Sequence, residues 1–157
     1  MNAMTVRALS LGLVVALWTA ISHYARLPMQ LWPVIVGVGC FLATDGGTRG
    51  LQNTLAGMIS GVVWALIAYS VSRSLGRNNI VDALIYGAAV VGMVLQARVP
   101  LLSFTPAVVV GAAAAMGAGV RALQGGVRVA AALAIGAGLG YAAEYIAEST
   151  TKYLKAR

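Results

Sequence analysis

The stretch Ala25-Arg26-Leu27-Pro28 returns roughly 72 positions later as Ala97-Arg98-Val99-Pro100, and the features around it return in the same order. Before the motif each half carries an apolar run, opening Ala8-Leu9 in one and Ala83-Leu84 in the other. After it come an aromatic near a proline (Trp32-Pro33, then Phe104-Thr105-Pro106) and an apolar run containing Gly37 or Gly111. A Gly-rich turn then closes on Arg-x-Leu-Gln, as Arg49-Gly50-Leu51-Gln52 and Arg121-Ala122-Leu123-Gln124. The last run holds Gly57-xxx-Gly61 in the first half and Gly136-xxx-Gly140 in the second. Landmarks in one register predict two copies of one unit, about residues 4–72 and 79–147, followed by a short basic tail at 148–157.

Six apolar runs lie between turn signals, at about Val6–Ser22, Leu31–Ala43, Leu51–Val71, Ile80–Leu95, Leu101–Ala118 and Val127–Ile146. The breaks at Tyr24–Met29, Asp45-Gly46-Gly47, Ser72–Asn79, Gln96–Pro100 and Gly117–Gly126 combine Gly or Pro with charge. The expected fold is an all-α membrane protein, a single transmembrane domain of about six short helices in two three-helix repeats. Three crossings per unit would invert the second copy, an architecture that runs a solute path between the repeats. Leu31–Ala43 reaches only about 20 Å, against roughly 30 Å of hydrocarbon. It therefore spans as a short helix or re-enters, and if both copies re-enter the repeats are parallel. With a cytoplasmic N-terminus the inside carries Arg7, Arg49, Arg98, Lys152, Lys155 and Arg157, against Arg26, Arg73, Arg77, Arg121 and Arg128 outside. That balance is too even for the positive-inside rule to orient the chain.

Composition points the same way: 60 % of the 157 residues are hydrophobic and 10 % charged, where a soluble domain is about a quarter charged. With 19 glycines, the apolar content is of the small kind that lets helices pack closely in lipid. The net charge of +7 comes from cations placed singly or in pairs at the ends of apolar runs, which suits headgroup anchoring and excludes a nucleic-acid face. The lone Cys40 reads as a small core residue and permits no intramolecular disulfide. Arg7 and the apolar stretch after it resemble a signal peptide, but the repeat argues for a retained helix. One His, one Cys and four acidic residues offer no metal-ligand spacing, no nucleophile-base pair and no phosphate loop, so neither catalytic residues nor a cofactor is expected.

Gly57, Gly61, Gly136 and Gly140 are expected to be helix-packing positions. The candidate solute path consists of Asp45, Gly46, Gly47 and Arg49 at the turn after the second helix, with Ser103, Thr105 and Arg121 in the second copy. Irregular backbone at membrane depth is tolerated only when buried in protein or lining a wet cavity. Pro33 and Pro106 suit first turns of helices, and Ser103 or Thr105 can cap the second of these. Two such helix starts facing a solute would favour an anion or a carbonyl-bearing molecule. His23 reads as interfacial; Trp18, Trp32, Trp64, Tyr69 and Tyr86 read as belt or packing residues. From Glu144 onward the last helix gains charge, with Glu148 and Lys152 spaced to pair, so its end is expected to project into solvent.

The stretch Gly39-Cys40, Gly46-Gly47, Arg49-Gly50-Leu51, Ser60-Gly61-Val62-Val63-Trp64-Ala65, Gln96-Ala97-Arg98 and Leu101-Leu102-Ser103-Phe104-x-Pro106 resembles the YcdZ family of bacterial inner membrane proteins. The resemblance implies a multi-span inner membrane protein and no particular activity. Trp32, Gly46-Gly47, Arg49, Gly57 and Gly61 also resemble the membrane half of aromatic-acid and fusaric-acid exporters. A membrane interior nearly free of ionisable residues favours a channel or facilitated-diffusion protein for a small neutral or weakly charged polar solute. The alternatives are a proton-driven exporter of organic acids using Asp45, Asp82 or His23, and a non-transporting scaffold that binds a partner. The lipid bilayer and further copies of the chain, as a homo-oligomer, are the expected partners.

Overall fold

The computed structural model describes residues 3–25, 30–76 and 78–155. Arg26, Leu27 and Pro28 of the recurring motif, and Arg77 and Arg157, lie outside the described residues. The helices are α1 (Ala3–Tyr24), α2 (Leu31–Leu42), α3 (Gly47–Ser74), α4 (Asn79–Leu95), α5 (Thr105–Gly117) and α6 (Leu123–Lys155). No strand occurs among the described residues. Met4–Tyr24, Gly47–Ser74, Asn79–Arg98 and Leu123–Tyr153 are long and apolar enough to cross a membrane, whereas α2 and α5 are shorter.

Local chemistry sets most helix ends. Asn78 Oδ1 accepts from the Ile80 N–H at 3.2 Å to start α4, and Asp82 in the first turn complements the helix dipole. Gly76 and Gly119, with φ of 83° and 65°, turn the chain after α3 and α5. Pro100 cannot continue a helix, so two 3-10 turns, Gln96–Arg98 and Pro100–Leu102, fill the α4–α5 link. As a result α5 starts at Thr105 and not at Leu101. Neither Ser103 nor Thr105 caps it: the N-cap is Phe104 with no side-chain bond, and the Ser103 hydroxyl donates back to the Pro100 carbonyl at 2.8 Å. Helix α3 starts at Gly47, ahead of its apolar run, and Gly125 and Gly126 are helical within α6. Polar and glycine residues in a first turn leave no apolar signature even where the backbone is already helical.

Packing is crossed: α3 lies mainly on α5 and α6 on α2, α3 and α6 meet each other, α1 lies on α6 and α4 on α3. The two principal seams bring backbone onto backbone. A methyl placed on Gly61 would overlap the Val108 carbonyl and come within 2.7 Å of the Ala112 nitrogen; one on Gly111 would overlap the Met58 backbone. Across the α2–α6 seam, Gly136 meets the Val34 carbonyl and Gly37 meets the Leu133 carbonyl in the same way. In lipid, where apolar transfer drives little association, such proximity is the main source of packing energy. Phe41, Met58, Val108 and Leu133 are almost fully enclosed along these seams.

The outer wall is apolar. Helix α1 buries Val6, Ser10 and Val14 and turns Leu9, Leu13, Leu17 and Ile21 outward, each more than half exposed. On α4, Leu84, Val91 and Val94 also face outward. A wall of this extent suits acyl chains and not water. One polar cluster lies between α3 and the end of α4: Ser60 Oγ and Trp64 Nε1 both donate to Gln96 Oε1, at 2.8 and 2.9 Å. The Trp64 ring occupies the space where a side chain at position 92 would stand, which Gly92 leaves free. The Gln96 Nε2 group is buried without a protein partner.

Candidate functional site

The short helices α2 and α5 each end on a cleft. The first, of about 470 Å³, lies where α1 begins and α2 ends; it is lined by Met4, Arg7, Ala8 and Leu11 of α1, by Phe41, Leu42, Thr44, Asp45 and Gly46, and by Gly140, Ala143 and Glu144 of α6. The second, of about 340 Å³, lies where α2 begins and α5 ends, lined by Gln30, Pro33, residues 118–122, Gln124, Gly125, Arg128, Val129 and Ala132. The clefts share no residue and sit at opposite ends of α2. Between them, along α2 and α6, stand the Gly37–Leu133 and Gly136–Val34 backbone contacts, which leave no room for a solute along that seam.

Backbone chemistry shapes the first cleft. Thr44 Oγ1 donates to the Phe41 carbonyl at 2.7 Å and accepts from the Gly46 N–H at 3.2 Å, closing the chain after α2. Gly46 and Gly47 both have positive φ, 77° and 67°, a conformation that favours glycine. The turn brings the Gly47 N–H to Glu144 Oε2, which accepts at 2.9 Å and so satisfies an amide at the start of α3 from across the bundle. A side chain at position 46 would overlap the Glu144 carboxylate. Arg7, Asp45 and Glu144 thus share one cleft, two carboxylates to one guanidinium.

Of the residues proposed from sequence as a solute path, Asp45 and Gly46 line the first cleft and Gly47 is bonded at its rim, while Arg121 lines the second. Arg49 and Ser103 are exposed and Thr105 is half-buried, and none of the three lines either cleft. Gly57 lies against Ala107, Gly61 against Val108, Gly136 against Val34 and Gly140 against the Phe41 ring. His23 borders an open surface depression whose described lining, with Ala16, Thr19, Ala20 and Tyr24, belongs to α1. Sequence reasoning missed Glu144 and Arg7. By sequence Glu144 reads as the start of a solvated end, yet it is the one carboxylate within the long apolar run Val127–Ile146, and that isolation is the available signal.

Removing the Glu144 carboxylate strands the Gly47 N–H. Glu144→Ala is expected to lower stability by about 1 kcal/mol, and Glu144→Gln, which keeps an acceptor, by less than half of that. Thermal melts by circular dichroism in detergent check this; equal melting of Glu144→Ala and the parent would show that water replaces the bond without penalty.

Among the described residues no group of His, Cys, Asp and Glu is placed to hold a metal ion. Residues 8–148 match the family described as "Protein of unknown function (DUF1097)". The chain is 32% identical over 146 residues to the inner membrane protein YcdZ of Salmonella typhimurium (strain LT2), covering 90% of this chain and 86% of that one. It is 31% identical over 115 residues to the inner membrane protein YcdZ of Escherichia coli (strain K12), covering 73% and 69%. With the protein YahC of the same strain it shares 30% over 118 residues, covering 68% and 70%. No solved structure matches.

Proposed function

The chain belongs to the DUF1097 family, with YcdZ-like inner membrane proteins as relatives, and from that premise we propose that it conducts a small neutral or weakly charged polar solute across the inner membrane. The observation that carries this reading is that both short helices, α2 with 12 residues and α5 with 13, end on a cleft. Helices of that length reach about 18–20 Å and stop inside a hydrocarbon layer of roughly 30 Å, so the irregular backbone beyond them needs water or protein around it. The clefts supply that surrounding at opposite ends of α2. Because the seam between them is closed, passage in this reading proceeds by rocking of the halves or along an interface between copies. The chain performs no chemistry on the solute.

The halves are read as inverted three-helix repeats. In support, Gly61 against the Val108 carbonyl has its counterpart in Gly136 against Val34, and Gly111 against Met58 has its counterpart in Gly37 against Leu133. This pairs Gly61 with Gly136, one helical turn away from the register suggested by the GxxxG spacings alone. Homo-oligomerisation belongs to the same reading, since Gly12 on the outward face of α1 has nothing within 4 Å of the space a side chain would fill.

Stopped-flow light scattering on proteoliposomes, under gradients of urea, glycerol, short amides and small carboxylate salts, tests the proposal. Saturable permeation by one solute class is expected, falling about tenfold in Asp45→Ala and in Arg121→Ala through loss of one charge-assisted contact, with Arg49→Ala close to the parent. Permeability no greater than that of empty liposomes, in folded protein, overturns it. A pH-gradient requirement abolished by Asp45→Asn would indicate the coupled exporter, and a stoichiometric co-purifying partner without flux would indicate the scaffold.

A further inference from the structure

We infer that the second cleft is a binding site for a phosphate-type oxyanion, gripped by Arg121 and Arg128. Arg121 and Arg128, both exposed to solvent, line one cleft of about 340 Å³, and no acidic residue lines it with them. The four carboxylates of the chain are placed elsewhere. Asp45 and Glu144 line the first cleft, Glu148 lies one turn beyond Glu144 on the same helix, and Asp82 accepts a hydrogen bond from the Ser72 hydroxyl. The two ends of α2 therefore carry opposite charge: two carboxylates with one arginine at one end, two arginines with none at the other. Two arginines on one concave surface can converge on a single anion, and their planar forks match the oxygens of a phosphoryl group in a way that a lone ammonium does not.

The uncharged lining is suited to the same ligand. Gln30 Oε1 already accepts from the Trp32 indole at 2.8 Å, which leaves the Gln30 amide NH₂ as its remaining group, a donor. Gln124 on the first turn of α6 lines the same space, and the amide end of that helix reinforces the positive field without creating it. Arg121 and Arg128 flank the start of the last apolar run, where two sources of the oxyanion meet: a free anion from solution and the headgroup of an anionic lipid. The chemistry that binds them is common to both. Occupancy requires no flux, so the site stands or falls separately from solute conduction.

The test uses the full chain. In nanodiscs of phosphatidylcholine, inorganic phosphate is titrated by calorimetry; in nanodiscs containing phosphatidylglycerol, retained lipid is counted by native mass spectrometry. The variants are Arg121→Gln/Arg128→Gln, Arg121→Lys/Arg128→Lys, and Arg98→Gln as an equally exposed arginine outside the cleft. Phosphate affinity falling at least tenfold in the double glutamine variant, with Arg98→Gln unchanged, assigns the site to a free anion. Loss of retained phosphatidylglycerol in that variant alone assigns it to a headgroup. Should the glutamine pair fail to fold, the lysine pair, which keeps the charge and loses the fork, is expected to bind several-fold more weakly than the parent. Absence of both phosphate binding and lipid retention in the folded parent, or equal loss in Arg98→Gln, overturns the assignment.

Discussion

Gly61→Leu and Gly136→Leu, made singly, are each expected to destabilise the fold by about 3 kcal/mol or more and to leave little monodisperse protein in detergent. Two effects oppose each other. Leucine is the better helix former by just under about 1 kcal/mol, which alone would make either change stabilising. Against that, a β-carbon at 61 overlaps the Val108 carbonyl and one at 136 overlaps the Val34 carbonyl. Those obstacles are main chain, and a helix backbone cannot rotate aside as a side-chain end can. The helices must separate, and with them goes the close contact that substitutes in lipid for a hydrophobic driving force. Position 57 should fall between, because a β-carbon there meets the Ala107 methyl at 2.7 Å. Gly87→Leu meets nothing within 4 Å and should stay within about 0.5 kcal/mol of the parent. Size-exclusion profiles and denaturant titration give the ranking; a Gly61→Leu protein that unfolds with the parent would contradict the closeness of the α3–α5 seam.

Phe41→Ala is the second large effect, expected at about 2 kcal/mol. Phe41 is 1% exposed, stands edge-on to Tyr141 with ring centroids 6.1 Å apart and an interplanar angle of 86°, and covers Gly140. In a water-soluble core such a truncation costs about 3–5 kcal/mol. Much of that figure is transfer from water, which is missing when the unfolded helices also lie in lipid, so what remains is lost dispersion and the aromatic pair. Phe41→Leu should lose about half as much. Because the ring also lines the first cleft, its removal enlarges that cleft as well as weakening the α2–α6 seam. Chemical unfolding in mixed micelles measures both variants, and a loss below about 0.5 kcal/mol would show that the seam closes over the vacated space.

How much of this was legible in advance depended on what each feature leaves in a single sequence. Six helices are readable because Gly, Pro and polar residues interrupt otherwise continuous apolar runs, and the short second and fifth runs already betray their length. The start of α3 at Gly47 was hidden because a glycine-rich first turn looks like a loop. The α5 start slipped from Leu101 to Thr105 because apolar residues such as Leu101 and Leu102 also occupy 3-10 turns. Contacts between residues far apart were the least visible. Nothing local to Glu144 says that it meets Gly47, and nothing local to Arg121 says that it shares a cleft with Arg128 and Gln30. Arg49 reads as part of the solute path from its place in the turn beside Asp45, and Ser103 and Thr105 from the expected helix start at Pro106, but none of the three lines either cleft. The glycine pairs announced close packing but not their partners, because spacing along one helix carries no information about which neighbour approaches it.

The crossed arrangement of the bundle, α3 on α5 and α6 on α2, also has a temporal side. During synthesis α3 is complete at Ser74, but the surface it rests on is not made until Gly117, about forty residues later. At roughly 5–20 residues per second the nascent chain spends several seconds with the bare Gly57–Gly61 stripe facing lipid or the insertion machinery. The α2 stripe around Gly37 waits longer, until α6 emerges. Neither half can mature before the other exists, so quality control in the membrane judges the chain only as a whole, and a ribosome stalled between Ser74 and Asn79 would leave a product without the principal partners of α2 and α3.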